Sequence, residues 1–419
     1  MSLLSFVWAL VGVLCVVARG GREAPPDAEV SRKPVVGIWS NEADEPFRKM
    51  MLMSDQATSY VLRSVVDWLR RSGVDVVPLV FDQSEEEIIK QLGEVNGLVF
   101  QGGHAVLNST QAEWRLWMQR TSFVYEKAKA LNNEDPGSLP VFAICQGLEV
   151  VSVLEGGPSI LTRSGDTDGY FLTEFDPAES EEGKQSVMWT SAPPDVKKFL
   201  QDDKSTTHFH QWQVTKANFR AKGLDQKFRL VGANTDPEGN VFVSAFEDRS
   251  APPWLFAVQF HPEVRPSQVD TRLRRSIHSL QQESKALQYF GDLFASQVSK
   301  SLHRFSDPAT DRTKLVEALA DHLEGDRRAR TIQGKAWDMR YFEFNPNFPP
   351  NAPLPPSQHS EKEKNQIPLF ASSGPEGRPD SRNDCTNGMD TEGKCLQSGS
   401  DLGEKERETA TRIVKSAKI

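Results

Sequence analysis

Short apolar runs bounded by turn formers, separated by stretches with helical spacing, organise the front and middle of the chain. Pro34-Val-Val-Gly-Ile-Trp39 predicts a buried strand. Ala57 to Arg71 places Val61, Leu62, Val65, Val66, Trp68 and Leu69 on one face of a predicted helix that Gly73 stops. Val74 to Phe81 predicts a second strand, and Pro78 within it predicts an edge position or a bulge, because proline cannot donate to a ladder. Ser84 followed three residues later by Glu87 reads as a capping box that opens a short helix. Gly97 to Phe100 is the next strand, Thr110 to Leu131 the next helix, and Pro140 to Ile144 a further strand. Repeated βα units of this kind specify a parallel sheet covered by helices on both faces. Ligands bind such sheets beyond the carboxyl ends of the strands.

The strand at Pro140-Val-Phe-Ala-Ile ends on Cys145, and Gln146, Gly147, Leu148 and Glu149 begin a new helical pattern. That layout is a nucleophile elbow, which holds a side chain at the top of the sheet on a strained turn. Strand and helix approach closely there, so the small residues Ala143 and Gly147 are the expected neighbours. The dipole of the following helix is expected to lower the thiol pKa. On this stretch alone, a buried structural cysteine is an equal reading.

A second strand, Leu255-Phe-Ala-Val-Gln259-Phe, delivers His261, with Pro262 and Glu263 directly after it. A thiolate that attacks an acyl carbon needs an imidazole to take and return the proton, and a carboxylate to fix the imidazole tautomer. Cys145, His261 and Glu263 supply that trio if folding brings them together. Pro262 restricts His261 to extended geometry and so helps hold it. Gly102-Gly103, after the Gly97–Phe100 strand, falls at the same edge of the predicted sheet.

Taken together, the elbow and Gln259-Phe-His261-Pro-Glu263 resemble the class I glutamine amidotransferase superfamily, and within it the γ-glutamyl hydrolases (peptidase family C26). Three further stretches carry the narrower resemblance: Val95 to Gly103, ending in a paired glycine; Thr207-His-Phe-His210-Gln-Trp212; and Val231 to Gly239 with the strand Val241–Phe246. The resemblance spans residues 34–347. Ala143 stands where the family usually has glycine, and Gln146 where it commonly has leucine.

The resemblance implies an α/β three-layer sandwich with a mostly parallel central sheet, flavodoxin-like in class. It implies a cysteine hydrolase of γ-glutamyl amide bonds that acts through a thioester on folate poly-γ-glutamates or γ-glutamyl peptides. Cys145, His261 and Glu263 would be catalytic. The backbone N–H groups of Gly103 and Gln146 would form the oxyanion hole, and Gly102, His210 and Trp212 would bind substrate. A core histidine beside Trp212 is a competing reading of His210, and His104 and His208 read as bystanders. No metal and no organic cofactor is expected, and a homodimer is the assembly considered. Two alternatives stand beside this reading. One is a glutaminase subunit that feeds ammonia to a synthase, against which the absence of a fused synthase domain argues. The other is a catalytically silent γ-glutamyl-binding protein, against which the intact trio argues.

Composition narrows the setting. Among 419 residues with 38% hydrophobic content, the chain can bury one sizeable core. A net charge of −9 argues against nucleic acid as a partner, which requires clustered Lys and Arg. The apolar run Ser5–Val17, followed by Ala18 and Gly20, reads as a signal peptide over residues 1–20 and implies a secreted, lysosomal or vacuolar protein. Asn108-Ser-Thr110 is a glycosylation sequon. Of four cysteines, Cys15 falls in the leader, while Cys385 and Cys395 in the polar tail are candidates for a small disulfide loop in an oxidising compartment. Arg272 to His303 predicts a late helix carrying Leu280, Leu287, Phe290, Leu293 and Phe294. Asp307 to Arg330 reads as a charged helical insertion, and Ala336 to Phe344 as a terminal edge strand. Residues 348–419 have too little apolar material to fold and are expected to be disordered.

Overall fold

The computed structural model describes residues 33–344 apart from 52, 54, 106, 108–113, 165–169, 176, 178–182, 184, 266–278, 305–323 and 326–340; for 50, 51, 170–172 and 324–325 it describes the backbone only. The leader, the Asn108 sequon, almost all of the 307–330 stretch, Cys15, Cys385, Cys395 and the tail therefore lie outside the described residues.

In chain order the strands are β1 (Val35–Trp39), β2 (Asn41–Glu42), β3 (Ser59–Leu62), β4 (Asp75–Leu79), β5 (Gly97–Phe100), β6 (Val141–Ile144) and β7 (Leu161–Arg163). They continue with β8 (Tyr170–Thr173), β9 (Thr206–Phe209), β10 (Trp212–Val214), β11 (Phe228–Thr235), β12 (Val241–Asp248) and β13 (Leu255–Val258). The last two are β14 (Glu324–Gly325) and β15 (Tyr341–Phe344). Seven of them form the central sheet, in the order β11-β12-β13-β6-β5-β1-β4. The pairs β4/β1, β1/β5, β5/β6 and β6/β13 are parallel, while β12 and β11 extend the sheet antiparallel. The mostly parallel α/β sheet is thus the architecture.

Period-two alternation along the central strands divides the core into two layers. Phe142 and Ile144 of β6 face one side with Val99, Phe256 and Val258. After the short α1 (Glu45–Met51), helix α2 (Arg63–Arg71) covers that side through Val65, Trp68 and Leu69, together with Phe290 and Phe294 of the helix Leu280–Val298. Val141 and Ala143 face the other side with Leu98, Phe100, Leu255 and Ala257. Helices α3 (Glu85–Glu94), α4 (Leu116–Glu134) and α5 (Gln146–Gly156) cover it through Ile88, Leu92, Met118, Tyr125, Leu148 and Val151. Strands buried on both faces read as unbroken apolar runs, which is why these elements are visible in the sequence.

Pro78 pairs with Ile38 from the outermost strand β4, so its missing N–H faces no ladder. Ser84 caps α3 by accepting from the Glu87 N–H at 3.2 Å. Two expectations are corrected. The expected terminal edge strand is internal to its own sheet, since β15 pairs with β14 on one side and with β3 on the other. The segment expected as a single helix from Ala57 to Arg71 is a strand up to Leu62 and a helix only from Arg63. Val61 and Leu62 pair with Phe342 and Tyr341 of β15, a partner nearly three hundred residues away that local spacing does not reveal. The described part of the late helix, Leu280–Val298, starts at Ser279, whose hydroxyl accepts from Gln282 N–H. Among the described residues no helix is long and apolar enough to cross a membrane.

Candidate active site

Cys145 caps α5 with φ 50° and ψ −106°, the one positive-φ residue other than glycine among the described residues. An L side chain in that region costs on the order of 1–3 kcal/mol and persists only where its surroundings impose it. Here the impositions are on both sides. Cys145 N–H donates to Val258 O at 2.7 Å, tying the elbow to β13, and its carbonyl accepts the Glu149 N–H that opens α5. Gly147 is required by close approach, since a Cβ there would lie 2.3 Å from Phe100 O.

His261 leaves the end of β13, and its own N–H donates to Thr207 O of β9 at 2.8 Å. Its Nδ1 lies 2.8 Å from Glu263 Oε1, with both residues buried. The Glu263 carboxylate thereby holds Nδ1 as the donor and leaves Nε2 to serve the sulfur. Imidazole and thiol are close enough for each to shift the other's proton affinity. Burial alone would depress His261, but Cys145 and then Glu263 more than reverse it, and the imidazole is held well above its ordinary value. Burial pushes the Cys145 thiol up, with His261 acting against it. The expected depression by the helix N-terminus is outweighed by the loss of water around the sulfur. The Cys145 sulfur also faces Phe209 O at 3.7 Å.

The glycine pair closes the third side. A Cβ on Gly102 would meet His261 Cε1 at 2.9 Å and Cys145 Cβ at 3.6 Å, so Gly102, Cys145 and His261 converge from β5, β6 and β13. A Cβ on Gly103 would meet Asn41 Nδ2 at 2.2 Å and Gln146 Oε1 at 2.4 Å. Gln146 is the first residue of α5, where backbone N–H groups lack intrahelical partners. Its side-chain Nε2 donates to Ala105 O at 2.9 Å. Below the glycines, Gln101 is buried and binds β1 and β3 together: Nε2 donates to Trp39 O and Tyr60 O, and Oε1 accepts Leu62 N–H.

His210 and Trp212 stand beside this cluster. His210 Nδ1 bonds to Trp212 O at 2.9 Å, and His210 Nε2 lies 3.2 Å from His208 Nδ1. Since a carbonyl only accepts, Nδ1 carries the proton of His210 and Nε2 accepts from His208. Burial depresses His210 to about 3, so it is neutral. His208 is fully buried and reaches Thr206 Oγ1 as well, so it belongs to this chain of rings rather than standing apart. His104, also read as a bystander, stacks on Phe47 with ring centroids 3.9 Å apart and meets Tyr60 OH and Asp44. Trp212 is half-buried, with the Arg163 guanidinium 5.5 Å over its ring.

Two residues that sequence reasoning did not single out complete the neighbourhood. Gln259 Nε2 lies 3.9 Å from Cys145 Sγ and donates to Glu149 Oε1 at 3.0 Å. Burial pushes the Glu149 carboxyl up to about 7. The available signal was spacing: Glu149 lies one helical turn after Cys145, on the same face. Among the described residues no group of three or more His, Cys, Asp or Glu side chains is arranged to hold a metal ion.

Known proteins resemble this chain over much of its length. The gamma-glutamyl hydrolase of Bos taurus is 29% identical over 307 residues, covering 73% of this chain and 89% of that one. Gamma-glutamyl hydrolase 1 of Arabidopsis thaliana is 26% identical over 286 residues, covering 67% and 76%. Among solved structures, the Trypanosoma brucei CTPS glutaminase domain with bound acivicin aligns with a TM-score of 0.40 at 15% identity, over 64% of this chain and 95% of that one. The family model for Peptidase C26 matches residues 34–263, a span that holds Gly102, Gly103, Cys145, His261 and Glu263, and the chain belongs to that family.

Proposed function

We infer that this chain is a cysteine-type γ-glutamyl hydrolase whose substrates are small molecules, folate poly-γ-glutamates above all. The observation that carries the reading is the convergence of Cys145, Gly102 and the His261–Glu263 pair at the carboxyl ends of three adjacent strands. Its support from relatives is the run of gamma-glutamyl hydrolases aligned over about three quarters of the chain.

The mechanism has two halves. In the first, His261 takes the Cys145 proton and the thiolate attacks the γ-carbonyl carbon of the substrate. The N–H groups of Gly103 and Gln146 bind the oxyanion that forms. As the tetrahedral adduct collapses, the C–N bond breaks and the His261 imidazolium gives its proton to the leaving amine, which departs as glutamate or a glutamyl peptide, while the acyl half stays on Cys145 as a γ-glutamyl thioester. In the second, His261 takes a proton from water, the hydroxide attacks the thioester, and collapse breaks the C–S bond; the imidazolium returns its proton to the sulfur, and the γ-carboxylic acid loses its own to solvent. Glu263 keeps Nδ1 protonated throughout, so Nε2 is always the atom that exchanges. Gly102, His210 and Trp212 complete the substrate-binding set. Gly102 leaves room for the acyl group. His210 locks the strand that presents Trp212, with Arg163 on its ring offering a positive contact for a substrate carboxylate.

The same reading takes residues 1–20 as a cleaved leader, residues 34–347 as the catalytic unit and the remainder as a polar tail. It places the protein in the secretory pathway, exported or held in a lysosome or vacuole, as a homodimer. The test is hydrolysis of pteroyl-poly-γ-glutamate by purified full-length protein, compared with free glutamine and with Cys145→Ala. The expected result is Cys145-dependent release of glutamate or γ-glutamyl products. Faster turnover of free glutamine, or full activity in the alanine variant, would overturn the assignment.

A further inference from the structure

We propose that Asn41 is a positioning residue for the reaction: it latches the Gly102–Gly103 peptide so that the Gly103 N–H points toward the oxyanion. The inference rests on the reading of Gly103 as an oxyanion donor. In a trans peptide unit the carbonyl and the following N–H lie in one plane and point in opposite directions. The Gly102 carbonyl and the Gly103 N–H belong to one such unit. Asn41 Nδ2 donates to Gly102 O at 2.6 Å, and both residues are buried. Whatever holds that carbonyl therefore aims the N–H the other way, off the Asn41 side.

This peptide needs a latch because it lies between two glycines. Gly102 must lack a side chain, since a Cβ would sit 2.9 Å from His261 Cε1, and Gly103 must lack one because Asn41 and Gln146 fill that space. Glycine on both sides leaves the dihedrals that turn the peptide plane without a steric preference. A side-chain hydrogen bond then decides its orientation.

The latch is itself held. Asn41 lies on β2, opposite Tyr60 of β3, and Tyr60 is bound from below by Gln101. The amide cannot be turned over, because its oxygen would then face the Gly102 oxygen at hydrogen-bond distance. At the far end of the loop, Gln146 Nε2 holds Ala105 O. The two amides bracket the glycines from both ends.

The experiment compares two chemistries at Cys145 in full-length Asn41→Leu and Asn41→Ala. The first variant keeps the bulk and removes the donor; the second is smaller and serves if the first does not fold. Acylation by p-nitrophenyl acetate passes through an oxyanion, whereas alkylation by iodoacetamide displaces iodide and forms none. Acylation, and kcat on a γ-glutamyl peptide, are expected to fall about 10- to 100-fold, below the ceiling for deleting an oxyanion donor outright. KM should stay within about twofold and alkylation should be unchanged, as expected when only transition-state binding is lost. Equal losses in acylation and alkylation would mean that Asn41 supports the thiol or the fold, and no loss in either would mean that the peptide needs no latch. Both outcomes overturn the proposal. If the wild type cleaved no γ-glutamyl peptide, the substrate assignment would fail, while the contrast between ester and iodoacetamide would still decide the role of Asn41.

Discussion

Gln259 donates to the buried carboxyl of Glu149 at 3.0 Å while the same amide nitrogen lies 3.9 Å from the Cys145 sulfur. The end of β13 and the first turn of α5 are thus joined directly beneath the nucleophile. Gln259, two residues before His261, carries the relationship between the two halves of the site.

The Glu149 carboxyl makes stability depend on pH. Burial raises it from 4.5 to about 7, so the folded state holds this proton more tightly than the unfolded chain does. Below about pH 4.5 both states are protonated and the group has no effect. As pH rises toward 7 the native state must bury an ionised carboxylate or keep its proton, and stability falls. Glu149→Gln is expected to raise the melting temperature at pH 8 and to leave it nearly unchanged at pH 4.5, the difference being at most on the order of 3 kcal/mol. Thermal melts at the two pH values measure this. A change of equal size at both would show that the carboxyl's titration is irrelevant.

After Cys145, Glu263 is the group that holds the His261 imidazole above its ordinary value. Its loss should lower the imidazole pKa, because a neighbouring anion is replaced by a neutral amide at 2.8 Å. In Glu263→Gln the alkaline limb of the kcat/KM profile should move to lower pH, with at least about tenfold lower kcat at neutrality. The stabilising imidazolium–carboxylate contact is fully present below about pH 6.5 and is lost as pH rises through the raised folded value. The variant's urea midpoint should therefore fall further behind the wild type at pH 6 than at pH 9. A pH profile superposable on that of the wild type would remove Glu263 from the proposed trio.

Cys145 combines reactivity with backbone strain. Cys145→Ala should retain less than about one-thousandth of the activity and still fold cooperatively. Cys145→Gly should be equally inactive yet more stable than the alanine variant by about 1 kcal/mol, since glycine accepts φ 50° without a Cβ clash. Denaturant unfolding of the pair tests this, and an alanine variant of equal or greater stability would deny that the elbow stores strain.

Two glycines should separate activity from stability. In Gly102→Ala the new methyl meets the edge of the His261 ring, which Glu263 pins, so kcat should fall at least about tenfold while the melting temperature moves little. In Gly147→Ala it meets the Phe100 carbonyl at 2.3 Å, and strand and helix must part at a cost of about 2–3 kcal/mol. Comparable melting temperatures for the two variants would contradict this division.

Much of the protein was legible in the chain by itself. β1, β4, β5, β6 and β13 are short apolar runs because both faces of a parallel sheet are dry, and that demand is written in consecutive residues. Cys145 with Gly147, and His261 with Glu263, were likewise readable, because an elbow and a tautomer-fixing carboxylate each act over two residues. Tertiary structure alone decided the rest. Tyr60-Val61-Leu62 has helical spacing but becomes a strand, since β15 offers it a ladder across a long separation in sequence. Asn41 and Gln101 look like ordinary polar residues until their amides are seen to hold the Gly102 carbonyl and the backbones of Trp39, Tyr60 and Leu62. His208 looks spare until burial forces its ring to pair with His210. Apolar burial is set by each residue's own side chain and leaves a local pattern, whereas a buried polar group is defined by its partner, and only the fold chooses that partner.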